Sequence, residues 1–470
     1  MTGSSAGPWE VPARDRGRLL IHGGRLVDPS CGVDAQLDVR IEDGVVVEVG
    51  AGLAADGAAR LDATGQIVAP GFIELRAHLG EPGLEHRETF ASGLRAAAAG
   101  GFTAVVAQPD TQPIADARSV IDMLRTADRD LGGSRLLPAA ALSRDLAGEQ
   151  LTELGELSDA GAVWVTDGPH SIRSAALLRR ALLYARHFGL RVAHRALDAD
   201  LVDEGVMHEG EFSTRLGLPG SPALAEDTLV ARDLLIAEET GGRHHLAPVT
   251  TAGAVAKLRD AKSRGVDVTA DTTPAHLLLT DEAVALRGFA TALRLDPPLR
   301  APADVEALLA AVADGTIDAL AGDHRPHHAD EKDVQWSVAP PGASALETTV
   351  GVCLDRLVRA GLMSLSRLVE LLSSGPARVL GENRLAATAR AGRDGAPPAG
   401  TLVEGALGDA TLLDLDHVWT VDSSRFASFG RATPFDGWRL QGRAVATVVG
   451  GRPAWQLEPG RFTPADGAAS

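Results

Sequence analysis

The sequence predicts an α/β chain: a (β/α)8 TIM barrel carrying a small β-sandwich domain built from both chain termini. Three observations predict it. Short apolar strands alternate with amphipathic helices through the middle of the chain, and eight such units can be counted, which favours the barrel over an open doubly wound sheet. Both ends switch to β patterning with tight-turn signals. The core residues are mostly Ala, Val, Leu and Gly, with aromatics at 4% and a single tyrosine, Tyr184, a composition that suits close-packed α/β layers.

Taken in order, residues 17–67 form the first part of the sandwich. RLLIHGGRLVDP, AQLDVRIEDGVVVEVGAG and ARLDATGQIVAP are β runs, and Glu42-Asp43-Gly44 marks a hairpin turn. Residues 68–395 form the barrel, with strands expected in GFIELRAH, FTAVVAQ, RLLPAAAL, AVWVT, LRVAH, RHHLA, VDVTAD and IDALAGD. In TTAGAVAKLRDAKSRG, Thr250 or Thr251 caps a helix that stops at Gly265. In AEDTLVARDLLIAEETGG, Val230, Leu234 and Ala237 share a stripe ending at Gly241. Residues 396–458 supply the rest of the sandwich through ATLLDLDHVWTV and GRAVATVVGGRPAWQ, because neither half has enough strands alone. Residues 1–16 and 459–470 are Gly/Ser/Pro/Ala-rich and expected to be disordered.

The 470 residues carry 45 basic and 63 acidic side chains, a net charge of −18. No basic cluster stands out, which argues against nucleic acid or an anionic membrane as partner. No apolar run reaches the roughly 18–20 residues of a membrane span, and MTGSSAGPWEVPARDR does not read as a signal peptide; a cytoplasmic location is expected. Cys31 and Cys353 match no metal spacing and are expected to be free thiols.

A barrel places functional residues at the C-terminal ends of its strands. Arg76 and His78 close the first expected strand, Asp167 follows the fourth, His194 ends the fifth, and Asp323-His324 ends the eighth. Alone, a His there is more often a hydrogen-bonded structural residue and an Asp more often a helix cap. Together at one rim they are the donor set of a hydrolytic zinc site.

PGFIELRAHLGEPG, FASGLRAAAAGGFTAVVAQPDTQP, HEGEFSTRLGL, LDPPLR, DALAGDHRPHH, PGASALETT and TPFDGWRLQGRAVATVVGGR resemble dihydroorotases of the cyclic-amidohydrolase superfamily, in order and over nearly the whole chain. The resemblance implies the same barrel-plus-sandwich fold, a zinc centre, and reversible closure of carbamoyl aspartate to dihydroorotate. It also implies which positions are altered. Where the family has His-x-His-x-Arg, this chain has Arg76, His78 and Gly80, losing one ligand and the arginine that grips substrate carboxylate. Gly168 stands at a bridging aspartate, with Asp167 one residue away as the reserve candidate. Pro248 stands at the strand-six histidine, and His245, three residues earlier, is expected to face the other way. His78, His194 and Asp323 are the surviving metal positions, Asp323 being the vestigial general base. Asp110 and Asp296 occupy substrate-contact positions usually given to Asn, and His327 matches a substrate-side histidine.

The pattern is most like the catalytically inactive dihydroorotase-like homologues, which assemble with aspartate carbamoyltransferase; that partner, no cofactor, and a homo- or hetero-oligomer are the expectations. One alternative is an active cyclic amidohydrolase using zinc on His78, His194 and Asp323. A second is a small-anion binding protein using the old pocket, with Arg76 as receptor.

Overall fold

The computed structural model describes residues 18–131, 133–381 and 398–464. Eight parallel strands lie side by side in chain order: β1 (Phe72–Ala77), β2 (Phe102–Ala107), β3 (Arg135–Ala141), β4 (Trp164–Thr166), β5 (Val192–His194), β6 (His244–Leu246), β7 (Val268–Thr272) and β8 (Ala319–Leu320). Each overlaps an expected segment. The curled sheet meets itself at the rim, where Ala77 and His324 form a parallel bridge. There His78 N–H donates to the His324 carbonyl at 2.8 Å and His324 N–H to the Arg76 carbonyl at 3.1 Å.

Local chemistry sets the helix ends. The helix after β1, Phe90–Gly100, starts in a capping box of Thr89 and Ser92 and stops at Gly101, which is left-handed at φ +97°. Thr251 caps Ala252–Ser263 through its hydroxyl, and Leu224–Thr240 ends at the left-handed Gly241. Val230, Leu234 and Ala237 are buried against the barrel.

Both termini build the second unit. A five-stranded sheet holds Arg18–His22, Asp38–Glu42, Val45–Gly50, Ala59–Asp62 and Phe462–Thr463, and a six-stranded one holds Arg25–Asp28, Val33–Gln36, Ile67–Pro70, Ala410–Thr420, Arg439–Val449 and Arg452–Gln456. Leu19, Ile21, Ile41, Val68, Leu412 and Val448 are part of their shared core. Two expected boundaries move. Ile67–Pro70 pairs with Ala410–Leu413, so the sandwich chain continues past residue 67. Phe462–Thr463 pairs with Arg60–Leu61, so the tail expected to fray from 459 is ordered to Thr463, because its Phe462 packs on the sandwich core. The 395/396 boundary and residues 1–16 and 465–470 lie outside the described residues. Among the described residues no helix is long and apolar enough to cross a membrane.

Candidate functional site

The C-terminal rim of the barrel opens into a cavity enclosing about 890 Å³, its mouth included, lined by residues from most of the strands. Strand alternation decides who reaches it. On β1 and just beyond, Arg76 and His78 line the cavity, and Glu74 lies below, accepting from the backbone N–H of Arg76 (2.9 Å) and of Gly322 (2.7 Å). Burial pushes Glu74 up to about 8.

Arg76 is the centre of the site. Its side chain is 7% exposed, with Nη1 on Asp271 of β7 and Nε donating to Asp323 at 3.0 Å. Burial alone would lower its pKa, but Asp271 and Asp323 outweigh that and raise it, so the guanidinium is permanently charged. Burial pushes Asp323 up, but Arg76 and then His78 more than offset it and leave the carboxyl below its ordinary value. Asp323 is left-handed at φ +57°, a strained conformation for a non-glycine residue, costing on the order of 1–3 kcal/mol. The Arg76 pair and the seam hydrogen bonds beside it hold it there.

Asp271 was not singled out by the sequence, although VDVTAD already placed it at the end of an expected strand. It is fully buried and also takes Nε2 of His245 at 3.0 Å. His245 therefore faces the barrel interior, contrary to expectation. Strand β6 ends at Leu246 and the chain turns, so simple alternation does not carry through to Pro248, which also lines the cavity.

His194 does not line the cavity; its neighbours Ala193 and Arg195 do. Its ring lies on the other face of β5, where Ile172 N–H donates to Nε2 at 2.7 Å and Nδ1 meets Asp233 at 2.5 Å. The expected ligand is thus spent on both nitrogens. Asp167 is turned away as well: it accepts from Ser143 N–H at 2.8 Å and from the Ser143 hydroxyl at 2.6 Å, and burial raises its pKa. Gly168 does line the cavity, at φ +60°, but brings no donor side chain.

His78 Nδ1 lies 2.7 and 2.8 Å from the two Asp110 oxygens. Burial works against the Asp110 carboxylate, but the His78 ring outweighs it and holds the pKa at about 2. Asp296 lines the cavity and pairs with Arg195, which no motif in the sequence marks. His327 lies behind the lining, its Nε2 donating to the Pro341 carbonyl at 3.0 Å, and burial together with Lys332 pushes it down to about 3. Gly80, at φ +70°, sits where a Cβ would come within 2.7 Å of the Glu88 and Leu84 carbonyl oxygens.

A zinc ion does not fit this rim. A catalytic zinc takes three protein ligands and an open position. Of the expected donors only His78 Nε2 and one Asp323 oxygen are uncommitted, and the Arg76 charge lies against that same aspartate. His194, Asp233 and His244 do bring donor atoms within 4.8 Å of one another, but on the helix side of the barrel. There the Ile172 N–H fixes the lone pair on Nε2 of His194 and the hydrogen on Nδ1. A metal on Nδ1 would move that hydrogen to Nε2, against the Ile172 donor. Arg232 Nε also donates to Asp233 at 2.8 Å, while both His244 nitrogens are buried without a hydrogen-bond partner.

The dihydro-orotase-like family model matches residues 65–253. The dihydroorotase of Anaeromyxobacter dehalogenans is 48% identical over 435 residues, covering 92% of this chain and 97% of that protein. That of Citrifermentans bemidjiense is 46% identical over 439 residues, covering 93% and 99%. Among solved structures, the L-hydantoinase of Arthrobacter aurescens superposes with a TM-score of 0.81 at 25% identity, covering 93% of this chain and 96% of its own. The dihydropyrimidinase of Brevibacillus agri, with a TM-score of 0.78 at 22% identity and coverage of 93% and 94%, shares the fold. With identity of this order along almost its full length and the amidohydrolase barrel to match, the chain belongs to the dihydroorotase family.

Proposed function

We propose that this protein is a dihydroorotase-family member of pyrimidine synthesis that has given up the metal-dependent ring closure and acts as a non-catalytic companion of aspartate carbamoyltransferase. The observation that carries the loss of chemistry is the Arg76 guanidinium held between Asp271 and Asp323. A fixed positive charge there opposes a divalent cation directly and takes up the carboxylate that would shuttle the proton. The committed ring of His194, the turned Asp167, and Pro248 support the same reading, because removing Arg76 alone leaves no ligand set. The companion role follows from the resemblance to inactive homologues.

The second reading, an active cyclic amidohydrolase with a reduced metal site, is favoured by one observation: relatives 48% identical carry the name dihydroorotase. Two measurements separate them. Protein dialysed against zinc and then buffer is analysed for metal by mass spectrometry; the proposal expects no stoichiometric zinc, and one zinc per chain overturns it. Size-exclusion chromatography with aspartate carbamoyltransferase tests the companion role; co-elution is expected, and separate elution with a fully active, assembled transferase removes that part.

A further inference from the structure

Arg325, in the loop after β8, lines the rim cavity, and among the described residues its guanidinium makes no hydrogen bond and no ion pair. Its field reaches Asp323 and Asp110, yet both already have closer partners in Arg76 and His78. Behind it lies Lys332, 8% exposed. The Lys332 amine donates to the carbonyls of Gly342 (2.6 Å), Pro340 (2.7 Å) and Thr291 (3.3 Å), tying these segments together. Burial, Arg294 and Arg325 push it down to about 7. Arg294 stacks over Trp336 at 5.7 Å, and its buried Nε has no partner. The Ser344 hydroxyl, from a residue lining the same wall, is also buried and unpartnered.

An arginine fork without a carboxylate pair and a buried, unpartnered hydroxyl, both lining the same cavity, leave a position open to an anion. We infer that the cavity is a receptor for a small oxyanion, a carboxylate or phosphate group docked on the fork of Arg325. The apolar part of the lining, Trp164, Ala247, Leu295 and Phe435, takes an apolar body attached to that group. Arginine binds both groups through two parallel N–H donors, and the loop stapled by Lys332 holds the fork in place. The site lies on the strand-eight loop; the strand-one position that grips carboxylate in the family is Gly80 here. The inference rests on the reading of the rim as metal-free, because a zinc there would itself attract the anion.

The test is isothermal titration of the full-length protein with inorganic phosphate and, separately, with propionate, on samples whose zinc content is measured first. Saturable one-to-one binding of either probe is expected, phosphate alone indicating a phosphorylated ligand and propionate alone a carboxylate. Arg325→Gln, with an unchanged circular-dichroism spectrum, should weaken it by about tenfold or more, the loss expected for a charge-assisted hydrogen-bonding partner. Should Arg325→Gln not fold, Arg325→Lys, which keeps the charge and loses the fork, is expected to weaken binding less but measurably. No saturable binding of either probe, or equal affinity in the folded variant, overturns the inference. A zinc-bearing sample instead refutes the metal-free reading, and is recognised before any titration.

Discussion

Arg76 Nε donates to Asp323 across 3.0 Å, joining the end of the first barrel strand to the loop after the last, 247 residues away in sequence. The pair lies beside the Ala77–His324 bridge where the barrel closes. A guanidinium thus bridges two inward carboxylates, Asp323 and Asp271, at the rim where the family resemblance implies a metal.

Breaking that bridge leaves two carboxylates short of their counter-charge. Arg76→Met is expected to destabilise the fold by about 3–5 kcal/mol, the usual result of removing one partner of a buried ion pair. Adding Asp271→Asn should recover part of the loss, since Asp271 is the fully buried partner. Urea unfolding of the single and double variants checks this.

An imidazole at position 76 should not by itself complete a zinc site. Arg76→His is expected to bind no stoichiometric zinc after equilibration, because His194 remains capped by Ile172 and Asp233, Asp167 by Ser143, and Pro248 brings no donor. Metal analysis of the dialysed variant reads this out.

An arginine at position 80 should not add a carboxylate clamp either. At Gly80 the backbone is left-handed, and a Cβ would press on the Glu88 and Leu84 carbonyls at 2.7 Å. Gly80→Arg should therefore lower the thermal midpoint with no gain in affinity for carbamoyl aspartate, measurable by thermal unfolding and titration.

How much of this was legible in the sequence depends on the range of the interaction. All eight barrel strands follow from local apolar runs and their turns, and the Asp43-Gly44 hairpin shows the positive φ angles its sequence demands. Arg76, Gly80, Gly168 and Pro248 were also visible, as departures from the pattern that the resemblance implies. Where His194 and Asp167 point was not, because their orientation is set by Asp233, Ile172 and Ser143, residues 22 to 39 positions away on other elements. Asp271 escaped for the same reason: its partner Arg76 is 195 residues away. Strand ends are where alternation stops being a guide, as His245 shows.

Stability should fall on both sides of a mildly acidic to neutral optimum. Burial holds His276 at about 4 and His327 at about 3, below the unfolded value near 6.5, so below that pH the unfolded chain takes protons that the folded chain refuses. Each histidine then removes up to about 1.4 kcal/mol per pH unit on acidification. Glu74, raised to about 8, has the opposite sign: its contribution is whole below about 4.5 and is lost as pH rises through 8. Urea midpoints from pH 4.5 to 8.5 should show both limbs, and a flat profile would remove the two histidines and Glu74 from the account.

The central claim, that the Arg76 bridge has replaced the metal chemistry, is tested most directly by turnover. Purified protein equilibrated with zinc is assayed with dihydroorotate and with carbamoyl aspartate, each followed to its counterpart. The account predicts no conversion above a protein-free control in either direction. Conversion that rises with added zinc and disappears in Asp323→Asn would contradict it.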